Sequence, residues 1–373
     1  MLIEFLSLHD FRNYPQLELD LTGYHKVALI GPNAQGKSNF LEALYVMAFA
    51  SSFRSPRMTE LIHWEARSFS VRCRCRRDRG DDFLLGYETR KDGKRLIQYN
   101  HTYQKRLIDY IGHLKLVLFS QGDLNLITGQ PHRRRLYIDL LLIQCKPGYY
   151  KLLQNYNRVM KQRNVLLKSF KDYRSLDSIP QAQKDNLDLW DLQLSQFAAL
   201  IVQQRQFMLD ALLPLIKQKQ VEMSGLYEEM DIEYRSAIAG MKAEDILRLL
   251  EQKRRQDVFR GQTSIGPHRD DLVIKYVKRD LKAVGSQGQI RTAALAMKVA
   301  ELCYVKEQIG EYPILLLDDV FSELDIRRQQ LLVEQISYDG LQSFITTTHL
   351  DQTVEKLLKE QGLILHVREG KIT

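Results

Sequence analysis

Cysteine, tryptophan and long apolar runs are scarce in this chain. The 373 residues include only 4 cysteines and 2 tryptophans. So few cysteines exclude a disulfide-framed scaffold. Cys145 and Cys303 lie in apolar surroundings and read as core fillers. Cys73 and Cys75, in the run Val71 to Arg77, offer half a metal site, and no second cysteine pair or His-rich segment completes it. Strand alternation accounts for the same run, with Val71, Cys73 and Cys75 inward and Arg72, Arg74 and Arg76 outward. No stretch approaches the ~20 apolar residues of a membrane span. Glu4, His9 and Asp10 stand where a signal peptide keeps an apolar core, so a cytoplasmic protein is expected. A pump with its own membrane domain is thereby excluded, though a separate membrane subunit is not. Internal repeats and low-complexity tracts are also missing.

Positive charge is in surplus: the formal net charge is +8. Such a balance favours an anionic partner. The basic residues cluster at His132 to Arg135, Lys94 to Arg106 and Lys253 to Arg255. Each cluster alone fits a solvated face. Several on one chain bring nucleic acid into view, with Arg133, Arg134 and Arg135 as the first candidates for phosphate contacts.

One stretch carries a specific chemistry. Gly31-Pro32-Asn33-Ala34-Gln35-Gly36-Lys37-Ser38 matches G-x-x-x-x-G-K-[ST] at every fixed position. The apolar run Lys26 to Ile30 before it reads as a buried strand, and Phe40, Leu41, Leu44, Met47 and Ala48 after it recur at helical spacing. A strand, glycine loop and helix together let backbone N–H groups and a helix N-terminus face phosphates. Lys37 would reach the β- and γ-phosphates, and the Ser38 hydroxyl would ligate Mg²⁺.

A second element completes the nucleotide chemistry. Tyr312 to Asp325 reads as an apolar strand, of the kind covered on both faces in a parallel sheet, ending in two carboxylates. Asp318 would hold Mg²⁺ and Asp319 would orient or deprotonate the attacking water. Ser286-Gln287-Gly288-Gln289 is a glycine turn before a helix, without the apolar strand a phosphate loop requires. It is a capped helix N-terminus ready for an anion. His349 ends a strand-like run, where it could contact a γ-phosphate or simply cap the strand.

The texture of the chain changes twice. Short strand-like runs fill the first ~120 residues. Long helical periodicities run from about Pro131 to Leu250, broken by the polar loop Lys171 to Asp185, and mixed strand and helix then return. The expected division is a head part at 1–122, a helical lobe at 123–254 and a second head part at 255–373. The apolar positions in the middle block hold no strict heptad, so a compact lobe is expected rather than a long coiled coil.

The order of these motifs resembles an ABC-type ATPase. Leu8-His9-Asp10-Phe11-Arg12-Asn13-Tyr14, Ser286 to Leu302, Gly266-Pro267-His268-Arg269-Asp270-Asp271-Leu272 and Leu315 to Asp325 narrow the resemblance to the RecF family, short relatives of the SMC and Rad50 ATPases. The likeness spans essentially the whole chain. One departure is Gln121-Gly122-Asp123, where the family pattern has Pro-Glu-Asp. The resemblance implies an α/β fold: an SMC/Rad50-like P-loop ATPase head with a compact α-helical insertion lobe. It implies ATP and Mg²⁺ as cofactors and an ATP-dependent homodimer in which Ser286, Gln287 and Gly288 meet the partner's γ-phosphate. Arg12 and Asn13 would lie near the nucleotide of their own subunit. It further implies a clamp on double- and single-stranded DNA near junctions, released by slow, DNA-stimulated hydrolysis. The partners would be the recombination mediators RecR and RecO, with the clamp on the nucleoid in the cytoplasm. The ATPase subunit of a transporter would share the nucleotide motifs, but not Phe11 to Tyr14, the basic clusters or so large a helical block. A translocating helicase would need a second motor domain or a ring.

Overall fold

The computed structural model describes residues 1–170, 178–224, 230–349, 352–358 and 362–373. The expected loop Lys171 to Asp185 therefore lies partly outside the described residues. The chain forms two compact units. The first comprises Met1–Leu124, Leu215–Tyr227 and Gln287–Thr373, and the second Asn125–Pro214 and Glu228–Ser286.

The strands in chain order are β1 (Leu2–Phe11), β2 (Tyr14–Asp20), β3 (Lys26–Ile30), β4 (Ser68–Arg76) and β5 (Asp82–Arg90). There follow β6 (Arg95–Tyr99), β7 (Thr102–Gln104), β8 (Leu116–Ser120), β9 (Met230–Arg235) and β10 (Asp271–Tyr276). The last are β11 (Arg279–Asp280), β12 (Ile314–Asp318), β13 (Ser343–Thr347), β14 (Gly362–Arg368) and β15 (Lys371–Ile372).

The first unit holds two sheets. One is antiparallel, in the order β2-β1-β4-β5-β6-β7. Its β4 shows the expected alternation: Val71, Cys73 and Cys75 are buried, Arg72 and Arg74 are exposed and Arg76 is half-buried. The second sheet has the order β15-β14-β3-β13-β12-β8. Its neighbours β14-β3-β13-β12-β8 all run parallel. β3, β8 and β12 are apolar almost throughout and β13 is buried along its length, as a sheet covered on both faces requires, whereas β14 exposes Ile364, His366 and Arg368. The phosphate-loop helix α1 (Lys37–Phe49) touches β4 and β5 on one side and β8, β12 and β13 on the other. Its position between two sheets explains why Phe40, Leu41, Leu44, Val46 and Met47 are all fully buried with no polar stripe. Each such side chain contributes about 1.5–3 kcal/mol of burial.

The parallel order puts strand ends together. Asp318 sits beside Ser120 on one neighbour and Thr346 on the other, and Thr347 sits beside Ile30. The C-terminal ends of β3, β8, β12 and β13 thus share one edge, where ligands of open α/β sheets bind.

The second unit is built on the helices Pro131–Cys145, Tyr149–Ser169 and Ala243–Arg260 and on most of the 44-residue helix Gln181–Ser224. That long helix passes the unit division at Pro214. Arg163, fully buried, ties three helices by donating to Asp191 (2.5 Å) and Asp257 (2.7 Å). The unit also contains the antiparallel sheet β11-β10-β9. The boundary expected at 254/255 consequently lies at 286/287 instead. β10 pairs with β9 along its whole length, which keeps residues 255–286 with the lobe.

Candidate nucleotide site

The loop Gly31–Ser38 leads from β3 directly into α1. Pro32, Asn33 and Ala34 form its exposed rim. Gly36 has φ +119°, and a Cβ there would lie 2.7 Å from Asn13 Nδ2 and 3.1 Å from the Tyr14 hydroxyl. Only glycine fits both the backbone and the space. The loop is held from below: Asn13 Nδ2 donates to the Gln35 carbonyl (2.8 Å), and the Tyr14 hydroxyl donates to the Gly36 carbonyl (3.0 Å). Burial pushes the Tyr14 phenol pKa up, which keeps it a neutral donor. Asn39 Nδ2 donates in turn to Asn13 Oδ1 (2.8 Å).

Lys37 Nζ donates to the carbonyls of Gly31 (2.5 Å) and Pro32 (2.8 Å), folding across its own loop. Burial pulls its pKa below the ordinary lysine value, while the Asp319 and Asp318 carboxylates oppose the shift.

The end of β12 meets the start of α1. Asp318 Oδ1 accepts from the Ser38 hydroxyl (2.7 Å) and from the Thr346 hydroxyl (2.9 Å). A hydroxyl and a carboxylate oxygen converging in this way are the hard donors a Mg²⁺ ion takes. The next residue, Asp319, has φ +54°, and its backbone N–H donates to Thr346 Oγ1 (2.9 Å). Asp319 Oδ1 is buried and finds no hydrogen-bond partner among the described residues. A buried acceptor left unsatisfied costs about 1–3 kcal/mol and points to a group reserved for chemistry. His349 follows β13 with its imidazole exposed; its backbone N–H (3.4 Å) and carbonyl (2.8 Å) both bond the Thr347 hydroxyl, which closes the strand end.

The structure separates Arg12 from Asn13. Asn13 touches the phosphate loop, whereas the Arg12 guanidinium is committed to protein. It donates to both Glu42 oxygens (2.9 and 3.0 Å), to Ser55 Oγ (2.5 Å) and to the Glu60 carbonyl (3.2 Å). Glu42, fully buried, also accepts from Ser52, so Arg12 anchors the segment after α1. The helix Gln287–Ile309 starts directly after Ser286, which is exposed, as is Gln287. The Gly288 carbonyl accepts from Thr292 Oγ1 (2.9 Å), which in turn accepts from Arg328 Nε (3.0 Å).

The three arginines expected to meet phosphates do not share a free face. Arg134 is buried and donates to both oxygens of Asp271 (2.7 and 2.9 Å) and to the Gly129 carbonyl (2.9 Å). Arg135 is half-buried and donates to the Asp270 carbonyl (2.7 Å), leaving only Arg133 exposed. The run lies in the first turn of the helix Pro131–Cys145, where consecutive residues point about 100° apart.

Sequence reasoning missed two contributors to the site. Thr346 bridges the two carboxylate residues; its only outward signal was a place in the threonine run before His349. The turn between β14 and β15 supports the phosphate loop: the Gly370 N–H donates to the Gln35 carbonyl (3.1 Å) and the Glu369 N–H to Gln35 Oε1 (2.7 Å).

Residues 2–373 match the family described as the RecF/RecN/SMC N terminal domain. The "DNA replication and repair protein RecF" of Streptococcus suis (strain 05ZYH33) is 40% identical over 381 residues, covering 100% of this chain and 99% of that protein. The protein of the same name from Cyanothece sp. is 39% identical over 378 residues, covering 100% and 98%. Among solved structures, that of "the recombination mediator protein RecF-ATPrS in RecFOR pathway" superposes with TM-score 0.88 at 30% identity, covering 100% of this chain and 97% of that one. An Smc head domain from Pyrococcus furiosus shares the fold, with TM-score 0.55 at 17% identity. With the loop, paired carboxylates and ABC-type head in place, the chain belongs to the RecF family of DNA replication and repair proteins.

Proposed function

We propose that this protein is an ATP-gated DNA clamp of recombinational repair, in which slow, DNA-stimulated ATP hydrolysis acts as a release timer. The observation that carries the reading is Asp318 Oδ1 held at 2.7 Å from the Ser38 hydroxyl beside an unsatisfied Asp319 Oδ1. That arrangement suits Mg²⁺ at Ser38 and Asp318, and a base at Asp319. Bound Mg²⁺ would neutralise charge on the β- and γ-phosphates. The backbone N–H groups of Asn33 to Ser38 bind the phosphates, and Lys37 exchanges its carbonyl partners for them. Asp319 orients the attacking water and takes its proton. On this reading His349, exposed just after β13, supplies a contact to the γ-phosphate.

On this reading Ser286, Gln287 and Gly288 close the site of a second subunit, and the homodimer embraces duplex DNA near a junction with single-stranded DNA. The pathway named for the RecF-ATPrS relative motivates RecR and RecO as partners in loading recombinase, at the nucleoid in the cytoplasm. Full-length similarity to DNA repair proteins disfavours a transporter subunit. Sedimentation with ATP, with and without duplex DNA, tests the reading. Ser286→Arg is expected to bind ATP but not dimerise. Asp319→Asn, which keeps the shape and removes the base, is expected to accumulate as dimer on DNA. A Ser286→Arg variant that still dimerises, or an Asp319→Asn variant that does not, overturns the sandwich.

A further inference from the structure

The surplus charge is concentrated. Residues 67–106 hold twelve Lys and Arg against five Asp and Glu, a net +7 of the chain's +8. Everything outside them is therefore within one charge of neutral. These residues form β4 to β7 of the antiparallel sheet with their turns.

The register gathers much of the charge at one end of that sheet. Ser68 at the start of β4 pairs with Arg90 at the end of β5, and Thr89 pairs with Arg95 at the start of β6. The Lys91 N–H donates to the Arg67 carbonyl (2.9 Å), and the Arg90 N–H to the Lys94 carbonyl (2.9 Å). Gln104 on β7 pairs with Ile97, so Lys105 follows at the same end. Arg67, Lys91, Arg95 and Lys105 are all exposed, and no ion pair to any of them occurs among the described residues. The acids of this end are spent locally: Glu88 pairs with Arg90 and Asp92 with Lys94. At ~4.8 Å per strand, the four strands span about 15 Å, the length of four to five base pairs.

Two aromatic side chains accompany the cations. Trp64, three residues before Arg67, is 89% exposed, and Tyr103, two before Lys105, is 64% exposed. Trp64 sits on a fixed turn: the Ala66 N–H donates to the His63 carbonyl (3.0 Å) and the His63 N–H to the Asp10 carbonyl (2.8 Å). An exposed tryptophan on rigid backbone among unpaired cations suits a phosphate chain with bases beside it.

We propose that this end of the antiparallel sheet, centred on Arg67, Lys91, Arg95 and Lys105, is where the protein grips the DNA backbone. The inference rests on the DNA-clamp reading and replaces the arginine run of the lobe as the phosphate contact. The contact is independent of base sequence, because these cations meet charge rather than base edges.

The test is a salt titration of DNA binding with ATP, on unrelated duplexes and on single strands. The quadruple variant Arg67→Ala, Lys91→Ala, Arg95→Ala, Lys105→Ala is compared with a control that loses four exposed cations of the second unit, Lys151, Lys161, Arg255 and Arg260. At ~0.9 per phosphate contact, the quadruple variant should flatten the log–log slope by about 3 to 4 on every duplex and leave DNA-free ATP hydrolysis unchanged. The control should keep the wild-type slope. An unchanged slope in the quadruple variant, or an equal loss in the control, overturns this surface while the clamp stands. Wild-type protein that binds no DNA overturns both. A second measurement removes no charge: in a Trp190→Phe background, Trp64 is the sole tryptophan, and its fluorescence should respond to DNA. DNA binding with no change in that signal overturns the placement.

Discussion

Replacing Arg134 should destabilise the second unit and leave DNA binding by folded protein intact. Its side chain is 7% exposed and that of Asp271 is 25% exposed. Truncation to alanine removes two charge-assisted bonds to Asp271 and one to the Gly129 carbonyl. Breaking a fully buried ion pair costs about 3–5 kcal/mol, mostly because the surviving charge is stranded. Asp271 regains some water at its exposed quarter, so the cost falls below that range, to about 2–3 kcal/mol. At 1.4 kcal/mol per factor of ten, that is roughly a 30- to 150-fold shift toward unfolding. Arg133→Ala, with an exposed side chain, should change stability by less than about 0.5 kcal/mol. The assay is urea denaturation read by far-UV circular dichroism, with affinity for duplex DNA measured at low urea. The double variant Arg134→Met, Asp271→Leu should recover most of the loss, since it strands no charge. Unchanged stability of Arg134→Ala, coupled with weaker DNA binding, would refute the buried-pair argument and restore the arginine run as a DNA contact.

Other outcomes follow from single contacts. Thr346→Val keeps shape but orphans the Asp319 N–H and removes a donor to Asp318; kcat for ATP should fall ten- to a hundredfold with little change in KM, and Thr346→Ser should restore it. An equal rise in KM would mean that Thr346 acts on binding instead. Gly370→Ala would put a Cβ 1.8 Å from the Asn13 carbonyl oxygen at φ +73°, so the turn must retreat; ATP affinity should drop about tenfold or more, measured by fluorescence titration. Glu369→Ala should be silent by the same assay, because only its backbone N–H is used. Burial pulls the His268 pKa down to about 4 while its ring bonds the Tyr156 hydroxyl (2.6 Å) and the Thr263 carbonyl (3.1 Å). Because the folded value lies below the unfolded ~6.5, the stability is fully present above pH ~6.5 and is lost as pH falls toward 4, up to about 3 kcal/mol. Urea midpoints across that window should slope for wild type and flatten for His268→Gln.

The parts of the site that follow one another in the chain were legible. Strand, glycine loop and helix are contiguous from Lys26 to Phe49, and their chemistry depends on local order. The apolar run before Asp318 signalled a strand covered on both faces for the same reason. What escaped was tertiary. Thr346 matters because parallel pairing sets it beside Asp318, and Gly370 because a turn meets Gln35 from the far end of the chain. The arginine run looked like a phosphate patch because burial cannot be read from three adjacent cations. The division near 254 was misplaced because an alternating run such as Asp271–Tyr276 looks the same in either unit until its partner strand is known.

The placement of β3 has a consequence for synthesis. β3 ends at Ile30, yet its two neighbours are β13, which begins at Ser343, and β14, which begins at Gly362. The strand that feeds the phosphate loop therefore emerges early and waits for more than three hundred residues before either flank is covered. At roughly 5–20 residues per second, that wait lasts tens of seconds on the ribosome. The residues of the second unit, the last of which is Ser286, are all made within that interval. β3 thus has neither of its sheet neighbours until β13 and β14 have been made, and contacts so distant in sequence are the slowest to form. A chain that stops before Ser343 leaves β3 without either parallel neighbour, and such a product is expected to bind ATP poorly.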